Sequence, residues 1–103
     1  MDPLRPSSGG RVVLERVSLS ADQVRFRATL HRPEASWHGA AGVVLAPGKI
    51  ELGPYTGEDT AEPPPAWLVA LAHAFLRAEW KARQRPDPEP WPPRFNRWRE
   101  ERG

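Results

Sequence analysis

Residues 23–31 read QVRFRATLH, which is the clearest strand pattern in the chain. Apolar and polar side chains alternate along it. The apolar set is Val24, Phe26, Ala28 and Leu30, and the polar set is Arg25, Arg27, Thr29 and His31. A period of two is the pattern of a β-strand that packs one face on a core and turns the other toward water or a partner.

The residues before this strand predict a hairpin. Residues 11–19 are rich in valine and leucine, with Val13, Val17 and Leu19 at even spacing, and residues 20–22 supply polar turn chemistry. A connection this short favours antiparallel pairing of sequential neighbours.

The residues after it predict a second hairpin. A loop over residues 32–41 holds Trp37 and His38, and apolar residues then lie on both sides of Pro47 and Gly48. Proline fixes φ and glycine accepts positive φ, so this pair is typical of a turn. The result is a small antiparallel β-meander of about four strands, made of two hairpins.

One long helix is predicted in the second half of the chain, over residues 66–84. Its apolar residues form two adjacent stripes, which are Leu68, Leu71, Phe75 and Ala78, and Val69, Leu76 and Trp80. Half of the circumference is therefore apolar, so the helix needs a surface on which to pack, and the sheet offers it. The fold class is α+β.

Beyond the helix the composition changes. Residues 86–93 read PDPEPWPP, which predicts an extended polyproline arm, and residues 94–102 predict a short helical turn. We therefore expect a flexible lead-in over residues 1–10, one α+β domain over 11–85, and a Pro/Trp/Arg-rich arm over 86–103.

The amino-acid composition restricts the kinds of protein and the cellular compartments that fit this sequence. The chain of 103 residues has no cysteine, so disulfides and thiolate metal ligands are excluded. No apolar run reaches the length of a membrane span, and no secretory signal pattern is present, so we expect a cytoplasmic protein that does not associate with membranes. Arginine supplies almost all of the basic residues, which is typical of a GC-rich bacterial genome.

No constellation of residues satisfies the requirements of catalysis or of cofactor binding. Gly48-Lys49 has the wrong spacing for a phosphate loop, and Ile50 stands where the magnesium-binding hydroxyl would be. Ser36 and His38 can lie on one side of an extended segment, but no nucleophile elbow accompanies them. We predict no catalytic, cofactor-binding or metal-binding residues, and no enzyme activity.

Aromatic residues are more informative, because five tryptophans is a large number for this length. Tryptophan and arginine are enriched at binding hot spots. The predicted partner-binding residues are Trp91, Arg94, Phe95, Arg97 and Trp98 of the arm, together with Arg25, Arg27 and Trp37. An alternative is that the arm wraps back, stacks its indoles on proline and covers the sheet face that the helix leaves open.

The predicted function is therefore a non-catalytic protein-interaction module, of the size class of adaptors, immunity proteins, antitoxins and complex subunits. It would bind its partner, as a homodimer or a hetero-complex, through the arm and the exposed sheet face. Two alternatives stay open. One is a nucleic-acid-binding accessory protein that uses the arginines and exposed tryptophans, and the other is a small hydrolase.

Overall fold

Five antiparallel strands and one helix make up the computed structural model, which describes residues 5–100. The elements in chain order are β1 (Gly10–Leu19), β2 (Gln23–His31), β3 (Ser36–Val44), β4 (Lys49–Gly57), α1 (Ala66–Ala82) and β5 (Arg94–Arg99). The strands form one sheet in the order β4-β3-β2-β1-β5. The predicted α+β class, with an antiparallel sheet and one long helix, is confirmed.

The meander β1–β4 follows the predicted neighbour order, but β3 begins earlier than expected. Trp37 and His38 lie in β3, opposite Leu30 and Thr29 of β2, so the prediction of a loop over residues 32–41 is wrong for residues 36–41 and holds for residues 32–35. The ladder supplies a backbone partner for these residues, and pairing outweighs their weak strand pattern.

Burial along β1 also differs from the even spacing seen in the sequence. Val12 and Leu14 face the helix, and Val13 is buried on the opposite side of the sheet. A register shift between Arg16 and Ser18 then changes the side to which the following residues point. Val17 is consequently 70% exposed.

Helix α1 packs on one face of the sheet only. Leu68, Ala72, Phe75 and Leu76 are its buried residues, and they join the apolar residues of β1, β2 and β3 in one core. Near the end of α1, the indole N–H of Trp80 donates to the carbonyl of Leu45 at 2.9 Å. Within residues 5–100 no helix has both the length and the hydropathy that crossing a bilayer requires.

The C-terminal segment contains a strand where a helical turn was predicted. Residues 94–99 form β5, which pairs with β1 from Gly10↔Arg99 to Glu15↔Arg94. Prolines end at residue 93, so each residue of β5 has its N–H, and the free edge of β1 offers backbone partners that an isolated turn lacks. The prediction that residues 94–102 form a helical turn is wrong for residues 94–99, and residues 101–102 lie outside the described residues.

The predicted N-terminal lead-in is partly in contact with the fold. Residues 1–4 lie outside the described residues. Arg5 donates to the hydroxyl of Ser36, and the Ser8 carbonyl accepts the indole N–H of Trp98 at 2.7 Å. Gly10 is the first residue of β1.

Replacement of Gly48 with alanine is expected to destabilise the protein by more than about 1 kcal/mol. Gly48 has φ +97°, and a Cβ at this position would lie 2.5 Å from the Trp80 ring. Gly53 is the matched control, because its φ is +77° but its nearest contact would be 3.6 Å. Urea denaturation of the two alanine variants should show the larger loss for Gly48→Ala. Equal losses in the free energy of unfolding would mean that the contact with Trp80 does not contribute to the destabilisation.

Candidate functional site

The face of the sheet opposite α1, called here the open face, carries most of the sheet's charged side chains. Residues that oppose each other directly in an antiparallel ladder share a face, so the strand registers assign each side chain. The charged, histidine and tryptophan side chains on the open face, outside the corner of His31, are Arg11, Glu15, Arg25, Arg27, His38, Lys49, Glu51, Arg94 and Trp98. No second helix covers this face among residues 5–100.

Four of the predicted partner-binding residues meet on the open face. Arg94 and Arg27 lie in one cross-strand row, on either side of Glu15, and Arg25 lies two residues from Arg27 on β2. Trp98 lies on the same side of β5 as Arg94, about 13 Å further along at the usual rise per residue. We call Arg25, Arg27, Arg94 and Trp98 the arginine patch.

Two arginines of the patch form no salt bridge with the part of the chain that the structure describes. No carboxylate of residues 5–100 lies within 4.0 Å of the guanidinium of Arg27 or Arg94, whereas Arg25 lies 4.0 Å from Glu51. Acidic side chains at the β4 side, Glu51 and Glu58, polarise the open face. Its positive end is therefore the half formed by β5, β1 and β2.

Trp98 is the exposed aromatic residue of the patch. Its side chain is 40% exposed, and its indole N–H is satisfied by the carbonyl of Ser8. The ring is therefore held in place by a hydrogen bond, while part of its surface remains available for contact.

The other four predicted residues lie on the helix side of the sheet or in the core. Trp91 is 7% exposed and packs on Phe26, with ring centroids 5.9 Å apart. Phe95 lies between Phe26 and Phe75, with centroids at 5.4 and 4.9 Å.

Arg97 and Trp37 also belong to the side of the sheet that α1 covers. The Arg97 guanidinium lies 4.5 Å from the ring centroid of Phe75. Trp37 is 4% exposed, and its indole N–H donates to the carbonyl of Glu62 at 2.8 Å. Trp91, Phe95 and Trp37 thus serve the core. Trp91 and Phe95 of the arm do pack back on the domain, but on the helix side of the sheet and not over the open face.

Arg11 is a residue of the open face that the sequence analysis did not identify. It opposes Trp98 across β1 and β5, and its guanidinium donates to the side-chain carbonyl of Asn96 at 2.7 Å. A signal was present in the sequence, because Arg11 and Glu15 alternate with Val12 and Leu14, but Val13 lies on the same face as the two charged residues and breaks the pattern.

A polar cluster closes one corner of the open face. Ser36 is fully buried, and its hydroxyl lies 2.7 Å from Nδ1 of His31. Arg5 donates to the same hydroxyl at 2.9 Å and to Asp59 at 2.9 Å. His31 is buried, contrary to the prediction that it faces outward. Ser36 and His38 share a face as expected, but the hydroxyl of Ser36 bonds to His31 instead.

This cluster links the segment before β1 to the loop after β4. The backbone N–H of Ser36 and then the Arg5 guanidinium hold the pKa of Asp59 below its ordinary value of 3.8. A carboxyl group whose pKa is lowered by folding stabilises the folded state above its unfolded pKa, and the contribution is lost as the pH falls through the folded pKa.

We therefore expect Asp59→Asn to be less stable than the unchanged protein at neutral pH. The difference should shrink as the pH is lowered below 3.8, because protonation removes the same charge. Urea denaturation at neutral and acidic pH measures it, with Asp22→Asn in the exposed β1–β2 turn as the control. A difference that does not change with pH would show that Asp59 acts through shape and not through charge.

No group of three or more histidine, aspartate or glutamate side chains within residues 5–100 is arranged to hold a metal ion. The candidate site is thus the open face with its arginine patch. Comparisons of the whole chain with protein-family models, curated proteins and solved structures found no match.

Proposed function

We propose that this protein is a non-catalytic interaction module whose open face binds an acidic surface of a protein partner. The observation that carries the proposal is the placement of Arg25, Arg27, Arg94 and Trp98 on the one face of the sheet that α1 does not cover. The proposal places the complex in the cytoplasm, the compartment that a cysteine-free composition favours.

The chemistry of the patch supports a protein partner. Arg27 and Arg94 lack carboxylate partners within residues 5–100, so carboxylates of another protein could pair with them in bidentate geometry. Trp98 adds apolar area on the same face, about 13 Å from Arg94 along β5, and tryptophan and arginine are enriched at binding hot spots.

The patch is also preorganised. Arg94 precedes Phe95, whose ring lies between Phe26 and Phe75, and the indole of Trp98 is held by the Ser8 carbonyl. A surface whose backbone is fixed by a sheet loses less conformational entropy on binding than a flexible arm. The contribution of the C-terminal segment is therefore to hold Arg94 and Trp98 in place.

A hetero-complex fits the charges better than a homodimer. Two copies that meet through the open face would bring Arg27 and Arg94 of both copies, which form no salt bridge within residues 5–100, into one interface. Like charges in an interface disfavour association. The partner is accordingly a different protein with an acidic surface.

Affinity capture with three forms of the protein tests this function. The unchanged protein, Arg27→Ala/Arg94→Ala and Arg77→Ala/Arg85→Ala are immobilised, and retained proteins are quantified and then purified for direct binding. Arg77 and Arg85 are exposed and lie off the open face. We expect a partner that is lost with the first double variant and kept with the second. Equal retention on all three forms would remove the proposal.

Nucleic acid is the second candidate, because the patch places arginines and an exposed indole on one face. Phosphate contacts and base stacking use these residue types. The acidic side chains of Glu15, Glu51 and Glu58 near the same face disfavour it. Fluorescence polarisation with a labelled single-stranded oligonucleotide at low and high salt decides the matter. Binding at low salt that weakens steeply with added salt would favour nucleic acid over the acidic protein partner.

A further inference from the structure

Strand β5 has a free edge whose hydrogen-bonding groups can be assigned. The N–H of Arg16 donates to the carbonyl of Pro93 at 2.8 Å, in line with the β1–β5 register. Hydrogen-bonded pairs alternate along an antiparallel ladder. Phe95, Arg97 and Arg99 therefore direct their backbone groups toward β1, and Arg94, Asn96 and Trp98 direct theirs outward. Among residues 5–100 no strand pairs with this outer edge.

The opposite edge of the sheet is less regular. Strand β4 contains Pro54, which has no N–H, and Gly53 with φ +77°. Its pairing with β3 shifts register between Gly39 and Ala41. Proline and bulges are features that discourage a further strand from adding to an edge. The β5 edge has neither, and its register with β1 is continuous.

The charges of β5 select which chain can add to it. The strand carries Arg94 on the open face and Arg97 and Arg99 on the helix side, and it contains no acidic residue. A second copy paired through its own β5 would bring three further arginines and no carboxylate of β5 to this edge, and like charges at an interface disfavour association. The same charges attract an extended segment rich in aspartate or glutamate.

A groove beside the edge supplies an apolar contact. It lies between α1 and the end of β5, has a volume of about 290 Å³, and is lined by Trp67, Leu71 and Ala74, with Arg99 and Glu100 at its rim. A side chain on the helix side of an added strand would point toward this groove, because alternate residues of a strand face alternate sides.

We infer that the β5 edge accepts an acidic, extended segment of a partner protein as a sixth strand. The inference rests on the proposed function and adds the conformation of the partner. Backbone groups of Arg94, Asn96 and Trp98 supply the ladder, the three arginines of β5 supply charge selection, and the groove receives an apolar side chain. Main-chain bonds would give affinity, and the side-chain contacts would give specificity.

The probe is a capped peptide of about eight residues, within the usual length range of a strand, that carries glutamate on both faces and one valine on the face directed to the groove. We expect it to bind the full chain and to protect the amides of Arg94, Asn96 and Trp98 from hydrogen exchange. Replacement of Asn96 with proline removes an outward N–H and should weaken binding about tenfold. Asn96→Ala, which keeps the N–H and loses only the side-chain acceptor of Arg11, should bind as the unchanged protein does.

A second variant is needed in case the proline at position 96 disturbs β5 itself. Arg99→Glu leaves the backbone intact and lies outside the arginine patch, and it should weaken the glutamate peptide, whereas Arg77→Glu on the exposed side of α1 should not. Equal binding of a lysine-valine peptide would overturn the inference. So would a dimer in sedimentation that Asn96→Pro abolishes, because the edge would then serve a second copy.

The two proposals fail in different ways. A captured partner that is lost on Arg27→Ala/Arg94→Ala but kept on Asn96→Pro and Arg99→Glu would overturn the edge inference and leave the proposed function standing. If the Arg27→Ala/Arg94→Ala variant retains the partner as well as the unchanged protein does, the proposed function itself is wrong.

Discussion

A chain that ends at Arg85 is expected to be largely unfolded at room temperature. The deletion removes β5 from the edge of β1 and takes Trp91 and Phe95 out of the core. Loss of a buried phenylalanine or tryptophan side chain costs about 3–5 kcal/mol each, and the total stability of a domain is about 5–15 kcal/mol. Circular dichroism and thermal denaturation measure the outcome.

Two matched point variants in β5 separate the effect of lost core packing from the effect of a shorter chain. Phe95→Ala should cost about 3 kcal/mol, because the ring lies between Phe26 and Phe75. Trp98→Ala, on the other face of the same strand, should cost less, because its ring is 40% exposed. A truncated chain that keeps a cooperative melt and a dispersed amide spectrum would contradict this account of the C-terminal segment.

Reversal of charge in the arginine patch should reduce affinity for the captured partner at least about a hundredfold. Arg27→Glu/Arg94→Glu replaces two guanidinium groups that have no acidic partner within residues 5–100 and adds carboxylates on both sides of Glu15. The partner's carboxylates would then meet like charge. Isothermal titration calorimetry with the purified partner measures the change.

The control for this variant carries the same change in net charge elsewhere. Arg77→Glu/Arg85→Glu alters two exposed arginines of α1 and the segment after it. It should change affinity by only a small factor, through the long-range field of the protein. If both double variants weaken binding equally, net charge and not the open face determines association.

Local pattern was sufficient for most of the fold. The alternation in QVRFRATLH predicted β2 and the side of the sheet on which Arg25 and Arg27 lie, because a period of two residues is the pattern of a half-buried β-strand. The apolar stripes of residues 66–84 predicted α1, which ends two residues earlier, at Ala82. These features depend on neighbours within a few residues, so sequence alone contains them.

The β5 strand could not be predicted in the same way. Its partner β1 lies more than seventy residues earlier in the chain, and RFNRWR mixes arginine with aromatic residues on both faces. Nearby prolines favoured a separate arm, yet they end before the first residue that pairs. The decisive fact is the free edge of β1, which is a property of the assembled sheet.

The candidate site was predicted in part for the same reason. Arg94 and Trp98 belong with Arg25 and Arg27 only because β5 adopts its register against β1. That register turns Phe95 and Arg97 toward Phe75 instead. The sequence shows that the segment is rich in arginine and aromatic residues. Only the register shows which of these residues lie in the core and which lie on the surface.

Amide chemical-shift mapping with the captured partner tests the central claim most directly. We predict that the largest shifts on titration fall on β1, β2 and β5 around Arg27, Arg94 and Trp98. Shifts confined to the exposed side of α1, with the open face unchanged, would contradict it.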